Sequence, residues 1–261
     1  MLRSLTTAAT GMLAQQLNID VISNNLANVN TTGYKKSRAE FQDLLSQTIK
    51  ASGAQIFQGT VQPVGIQVGL GTKTSATVKE FSEGAFKSTG GKLDMAIEGD
   101  GFFQVLMDDG SIGYTRDGSL KMDANGQLTT SDGFIIQPQM SIPSDALDIT
   151  ITPDGKISYR TAGNSDQTEL GSLTLAKFAN PAGLSSIGKN LYVETAASGK
   201  ATEGTPGQEG FGTLQQGFIE GSNVQVVEEL INLIQAERAF EANSKLIKSS
   251  DEILRILNRM S

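Results

Sequence analysis

The 261-residue sequence contains no cysteine, no histidine and no tryptophan. Without cysteine there is no disulfide framework, thiol nucleophile, thiolate zinc site or iron–sulfur cluster. Without histidine there is no Ser-His-Asp triad and no imidazole-held metal. Catalysis would have to rest on carboxylates, lysine, serine or tyrosine. Basic charge is also short, with 21 Lys plus Arg against 28 Asp plus Glu and a net charge of −7. This disfavours nucleic acid, whose phosphates are neutralised by Lys and Arg, and it disfavours an anionic membrane surface. No stretch approaches the roughly 18 uninterrupted apolar residues a membrane helix needs. The opening Met1–Ala14 segment, interrupted by Thr6, Thr7, Thr10 and Gly11, makes a poor secretory signal.

Glycine is abundant, at 29 residues, and its placement is uneven. Only Gly11 precedes Gly33, and neither glycine nor proline follows Gly221. The helix-breaking residues therefore lie in the middle of the chain, leaving two ends free to run as long helices.

In the first end, Leu2, Leu5, Ala9, Met12, Gln16, Ile19, Ser23 and Leu26 follow the alternating three-and-four step of a helix that packs along a seam. Asn24, Asn25, Asn28 and Asn30, then Thr31-Thr32-Gly33-Tyr34, supply residues that accept the left-handed conformation of a helix C-cap. The pattern predicts a helix over about residues 2–28. In the last 40 residues, Ser222 and Gln225 have capping-box spacing, with Glu228 and Glu229 near the positive end of the helix dipole. One stripe comprises Val226, Leu230, Leu233, Glu237, Phe240, Ser244, Ile247, Asp251 and Leu254. A second comprises Ala236, Ala239, Asn243, Leu246, Ser250, Ile253, Leu257 and Met260. Two adjacent stripes are wider than a two-stranded coiled coil needs, so this helix is expected to touch several neighbours.

The middle reads as β structure. Asp100-Gly101, Asp109-Gly110, Asp117-Gly118, Asn125-Gly126, Asp132-Gly133 and Asp154-Gly155 are hairpin signals. The strand candidates between and beyond them are Phe102–Leu106, Phe134–Ile136, Ile149–Ile151, Leu173–Leu175 and Leu191–Val193, which suggest a small antiparallel sandwich or barrel. The expected class is therefore α+β, with long terminal helices packing as a coiled-coil-like pair around a central antiparallel β-rich domain. The expected divisions are a helical assembly domain (1–33 and 222–261), an extended connector (34–80) and a β-rich outer domain (81–221) with a return linker near 197–213. The acidic excess falls on the middle, and the nearly neutral ends can pack against copies of themselves with little repulsion.

Motifs for chemistry fail on inspection. The Asp117–Gly126 stretch resembles a calcium loop, but alignment on Gly126 puts Lys121 at the first ligand position and Asp132 at the last. Gly84 and Gly90-Gly91-Lys92 miss phosphate-loop spacing, and Leu93 replaces the required Ser or Thr. Gly183–Gly188 is no nucleophile elbow. Acid pairs such as Asp108/Asp109 at hairpin tips lack the burial that tunes a pKa. No catalytic residue, metal site or cofactor is expected.

Two terminal motifs carry a family resemblance. The stretch Asn24-Asn-Leu-Ala-Asn-Val-Asn-Thr-Thr-Gly-Tyr-Lys35, followed by Ser37–Leu45, resembles the rod signature of the bacterial flagellar rod and hook axial proteins. So does Gln216-Gly-Phe-Ile-Glu-Gly-Ser-Asn-Val224 with Glu237–Lys245. Between them, Gly99–Val105, Tyr114–Ser119 and Phe178–Leu184 are similar to the distal members of the rod. Glu237 stands where the family usually has Gln, and Phe240 where it usually has Tyr.

The resemblance implies a non-enzymatic shaft subunit, exported through the flagellar type III apparatus without a cleaved signal and polymerising helically into a rod that spans the periplasm within the basal body. Its terminal helices would form the inner core and its β domain the outer wall, transmitting motor torque to the hook. The implied partners are other copies of itself, the proximal rod proteins, the hook protein and the P-ring and L-ring proteins, with no nucleic acid and no membrane insertion. Residues 46–63 correspond to the stretch that keeps a distal rod straight. The residues expected at subunit contacts are Leu2, Leu5, Met12, Ile19, Leu26, Asn24, Asn25, Asn28, Gly33 and Tyr34 from the first end. From the last they are Val226, Leu230, Leu233, Phe240, Asn243, Leu246, Ile247, Ile253, Leu254 and Leu257. The alternatives are a proximal rod or hook-type member of the same family, or a secreted β-domain binding module on a coiled-coil stalk. A carboxylate-dependent glycan hydrolase lacks a convincing acid pair.

Overall fold

A computed structural model describes residues 2–50, 55–57, 60–61, 64–161 and 167–260. The chain is α+β, with one long helix at each end and antiparallel strands between. It divides into two compact units. Unit 1 comprises Met1–Leu26, Ser37–Val78 and Gln225–Ser261, and unit 2 comprises Ala27–Lys36 and Lys79–Val224.

Unit 1 is built on helices α1 (Leu2–Ala27) and α2 (Val226–Met260). Helix α1 stops where the asparagine and glycine run begins: Thr31 N–H donates to Asn28 O at 3.1 Å, and Gly33 adopts φ +65°. Glu228 and Glu229 in the first turn of α2 and Arg259 in its last complement the dipole. Its 35 residues span about 52 Å at 1.5 Å per residue. The expected cap at Ser222 is not used, because α2 starts four residues later. Ser222 Oγ accepts from Val224 N–H instead, and Asn223 bonds the carbonyl of Glu80, which keeps this stretch extended.

The segment between the helices is a ribbon of nested antiparallel pairs. Ser37–Asp43 pairs with Thr72–Lys79, Gln47–Lys50 with Ile66–Val68, and Gln55–Phe57 with Thr60–Val61. Of residues 46–63, positions 51–54, 58–59 and 62–63 lie outside the described residues.

Unit 2 centres on strand Phe102–Leu106. It pairs with Ile112–Thr115 on one edge, and with Ile135–Gln137 and Leu175–Lys177 on the other. Its alternation serves two cores. Phe103 and Val105 join Met95, Ile97, Ile136, Ile157, Leu173, Leu175 and Leu214, whereas Phe102 joins Tyr114, Phe178, Leu184 and Tyr192. In the second core the rings meet edge to face, Phe81 and Tyr192 at 5.3 Å and Tyr114 and Phe178 at 4.8 Å. A three-stranded sheet, Ala146–Ile151, Lys156–Thr161 and Thr168–Ser172, extends the unit.

Asp109-Gly110, Asn125-Gly126, Asp132-Gly133 and Asp154-Gly155 close hairpins with positive φ at each glycine, as their sequence predicts. Asp117-Gly118 does not. Gly118 is buried against the backbone of Met95, whose N–H donates to its carbonyl at 2.9 Å. Asp100-Gly101 links strands Met95–Glu98 and Phe102–Leu106, which pair with other partners rather than with each other. Leu173 belongs to the core but falls between strands, the next of which runs Leu175–Lys177.

Candidate assembly surface

The two helices of unit 1 meet at two described points. A side chain added at Gly11 would lie 2.9 Å from Asn243 Nδ2, so α2 passes close to α1 there. Asn25 Nδ2 donates to Glu229 Oε2 at 3.4 Å. The contacts are 14 residues apart on both helices and run in opposite directions, so residue numbers facing each other total 254. Fourteen residues is two heptads, which returns the same helix face to both contacts.

The covered stripe of α2 is Glu229, Leu233, Ala236, Phe240, Asn243, Ile247, Ser250 and Leu254, every member buried or half-buried. It takes Leu233, Phe240, Ile247 and Leu254 from one predicted stripe and Ala236, Asn243 and Ser250 from the other. On α1 the covered stripe is Ala8, Gly11, Gln15, Asn18, Ile22 and Asn25, the predicted stripe moved back by one residue. At Gly11 the missing side chain lets Asn243 come close. Asn25 is also held inward by the strand backbone of Ser37, donating to its carbonyl at 2.8 Å and accepting from its N–H at 2.9 Å. Leu5, Met12, Ile19 and Leu26 are consequently only half-buried, and Asn24 is exposed.

On α2, the predicted contact residues Val226, Leu230, Leu246 and Ile253 are all exposed. A third face, Val227, Ile231 and Ile234, is open as well, at 71%, 51% and 50% exposure. In the sequence this face is masked because it continues into Arg238, Glu241 and Lys245, and its four-then-three spacing is the signal that marks it. Leu2 and Leu257 lie within α1 and α2. The ribbon adds exposed Leu45, Ile49, Val64, Ile66 and Val68, more apolar surface than a two-stranded ribbon can cover for itself.

Gly33 and Tyr34 are buried within unit 2, and Asn28 is half-buried there. The Lys79 ammonium stands 5.2 Å from the Tyr34 ring centre and 5.7 Å from that of Tyr192. Burial pulls the Lys79 pKa down. Burial also pushes the Tyr192 phenol well above its ordinary range, with Tyr34 and Glu220 adding to the effect. Next to Tyr34, the Lys35 ammonium pairs with the Glu220 carboxylate at 2.6 Å, both side chains fully buried. Among the described residues no group of three acidic, histidine or cysteine side chains is placed to hold a metal, and no helix is long and apolar enough to cross a membrane.

Three family descriptions match the chain. They are a flagella basal body rod protein region at residues 5–35, a flagellar hook protein FlgE/F/G D1 domain at 96–159, and a flagellar basal body rod FlgEFG protein C-terminal region at 215–260. The flagellar basal-body rod protein FlgG of Borreliella burgdorferi is 49% identical over 262 residues, covering 100% of this chain and 99% of the relative. That of Bacillus subtilis is 44% identical, covering 98% of each. The flagellar hook protein FlgE of Helicobacter mustelae is 47% identical over 54% of this chain and 31% of its own. With both terminal motifs matched and full-length likeness to rod proteins from distant bacteria, this chain belongs to the flagellar basal-body rod and hook protein family.

Proposed function

We infer that the protein is a non-enzymatic structural subunit of the flagellar rod, of the distal type, which polymerises within the basal body. The observation that carries this reading is identity of 44–49% along essentially the whole chain to proteins named as basal-body rod proteins. Exposed apolar rows on α2 and the ribbon support it, since a monomer that leaves such faces uncovered has partner surface to spare. In the polymer the terminal helices pack as a coiled-coil core and the β-rich unit forms the wall. Stiffness arises because each long helix is interlocked with several neighbours rather than with one.

The finer partners follow from that role: export through the flagellar type III apparatus, proximal rod proteins below, the hook protein above and the P-ring and L-ring proteins around the shaft. Residues 46–63 hold successive subunits in a straight rod, so their deletion is expected to yield curved filaments or none.

The double variant Val227→Glu/Ile231→Glu tests the assembly face. The monomer is expected to keep its helical circular dichroism while rod formation, followed by electron microscopy and sedimentation, is lost. Rods at wild-type yield would overturn this assignment.

A further inference from the structure

The chain passes between its two units after Leu26 and, at three further points, after Lys36, after Val78 and after Val224. The unit 2 segments beside the last three passages, 33–36, 80–85 and 217–224, are tied together by one polar cluster. Lys35 Nζ donates to Glu220 Oε1 at 2.6 Å and to Ser82 O at 2.7 Å. Glu220 Oε1 also accepts from Gly84 N–H at 2.9 Å, and the Glu220 carbonyl accepts from Gly33 N–H at 2.9 Å. Asn223 Oδ1 accepts from Lys36 N–H at 2.8 Å, while its Nδ2 donates to Glu80 O at 2.8 Å. Lys36 and Glu80 add an ion pair at 3.2 Å and a backbone bond at 2.9 Å. Arg116 stands 3.8 Å from the second Glu220 oxygen.

Stability does not account for such a cluster. Desolvating a buried ion pair offsets most of its attraction, and well-packed apolar replacements are often neutral or better. A directional hydrogen-bonded pair does hold its groups at fixed angles, whereas an apolar contact slides. Lys35, Glu220 and Asn223 all lie inside the two terminal motifs, yet Lys35 and Glu220 have no surface to offer another subunit.

We propose that Lys35, Glu220 and Asn223 form a torsion clamp, which locks three of the four chain passages at the edge of the β-rich unit so that twist is carried across them instead of being absorbed. The proposal rests on the rod reading. In a shaft subunit these passages carry force along the chain between helical core and wall, and slack there multiplies along the polymer.

The test compares wild type with Lys35→Met/Glu220→Met, which keeps side-chain bulk but removes directionality, and with Asn223→Ala, which spares the ion pair. Both variants are expected to form rods that bend several-fold more readily in electron micrographs. Amide hydrogen exchange on the unassembled chain is expected to quicken at least tenfold at Gly33 and Gly84 in the double variant, and at Lys36 in Asn223→Ala. Rods as stiff as wild type, or unchanged exchange at these amides, overturn the clamp. If the double variant does not fold, Asn223→Ala decides alone. If wild type forms no rods, the rod reading fails, and the exchange measurement still decides whether the cluster locks these segments.

Discussion

Gly118 has no room for a side chain, because an added Cβ would fall 1.5 Å from the carbonyl oxygen of Met95, itself fully buried. Gly133, at φ +90°, faces open space and is needed only for its backbone angle. Gly118→Ala is therefore expected to cost more than about 2 kcal/mol, in the range of forced overpacking, and Gly133→Ala about 1 kcal/mol, the strain of a left-handed angle. Urea unfolding of the two variants checks the order, and equal losses would contradict it. The two dipeptides are chemically alike in the sequence; what separates them is Met95, 23 residues away from Gly118. Tyr192 supplies a second expectation at this scale. Its folded pKa lies above the ordinary 10.0, so below that value both states hold the proton and stability does not change. Above it the unfolded chain ionises first and binds fewer protons, and stability falls by about 1.4 kcal/mol per pH unit. The stability gap between wild type and Tyr192→Phe should accordingly shift against wild type from pH 10 upward, measured by denaturant unfolding, and a gap independent of pH would count against it.

At the scale of elements, the register of α1 against α2 is open to direct measurement because the native chain has no cysteine. Gly11→Cys paired with Asn243→Cys is expected to form an intramolecular disulfide on mild oxidation, seen as a mobility shift on a non-reducing gel. Gly11→Cys with Ser250→Cys, one heptad out of register, is not. Equal cross-linking would mean that the helices slide. Asn25→Ala should cost about 1–3 kcal/mol, since it strands both backbone groups of Ser37 away from their partner. The helices themselves were legible: residues 2–28 were expected where α1 runs Leu2–Ala27. Which face turns inward was not, and the reason is specific. Hydrophobic periodicity ranks Leu5, Met12, Ile19 and Leu26 first, but the covered faces carry Ala8, Gly11 and Ala236. Asn25 is drawn in by the backbone of Ser37, a partner that no periodicity within the helix can reveal.

For the whole molecule, the terminal helices leave apolar rows that no described contact covers, so assembly is expected to stabilise helices that the single chain already forms. The helical circular dichroism signal is expected to melt at a higher temperature in the polymer than in the monomer, and equal melting would weigh against the helical core. The uneven placement of 29 glycines, nearly all between Gly33 and Gly221, already divided the chain into helical ends and a β middle. The terminal motifs carry the family likeness within the sequence itself, and the four hairpins closed by Asp-Gly or Asn-Gly follow from dipeptide chemistry. These are local matters: helix breaking, turn geometry and periodicity are settled within a few residues of chain. The tertiary structure decided which glycines yield to a neighbouring backbone, which stripe of each helix faces its partner, and that the motif residues Lys35, Glu220 and Asn223 tie one unit internally rather than lying open on its surface. Each of those outcomes depends on groups distant in sequence, the farthest more than 200 positions apart, and burial and directional hydrogen bonding act only once the fold has made them neighbours.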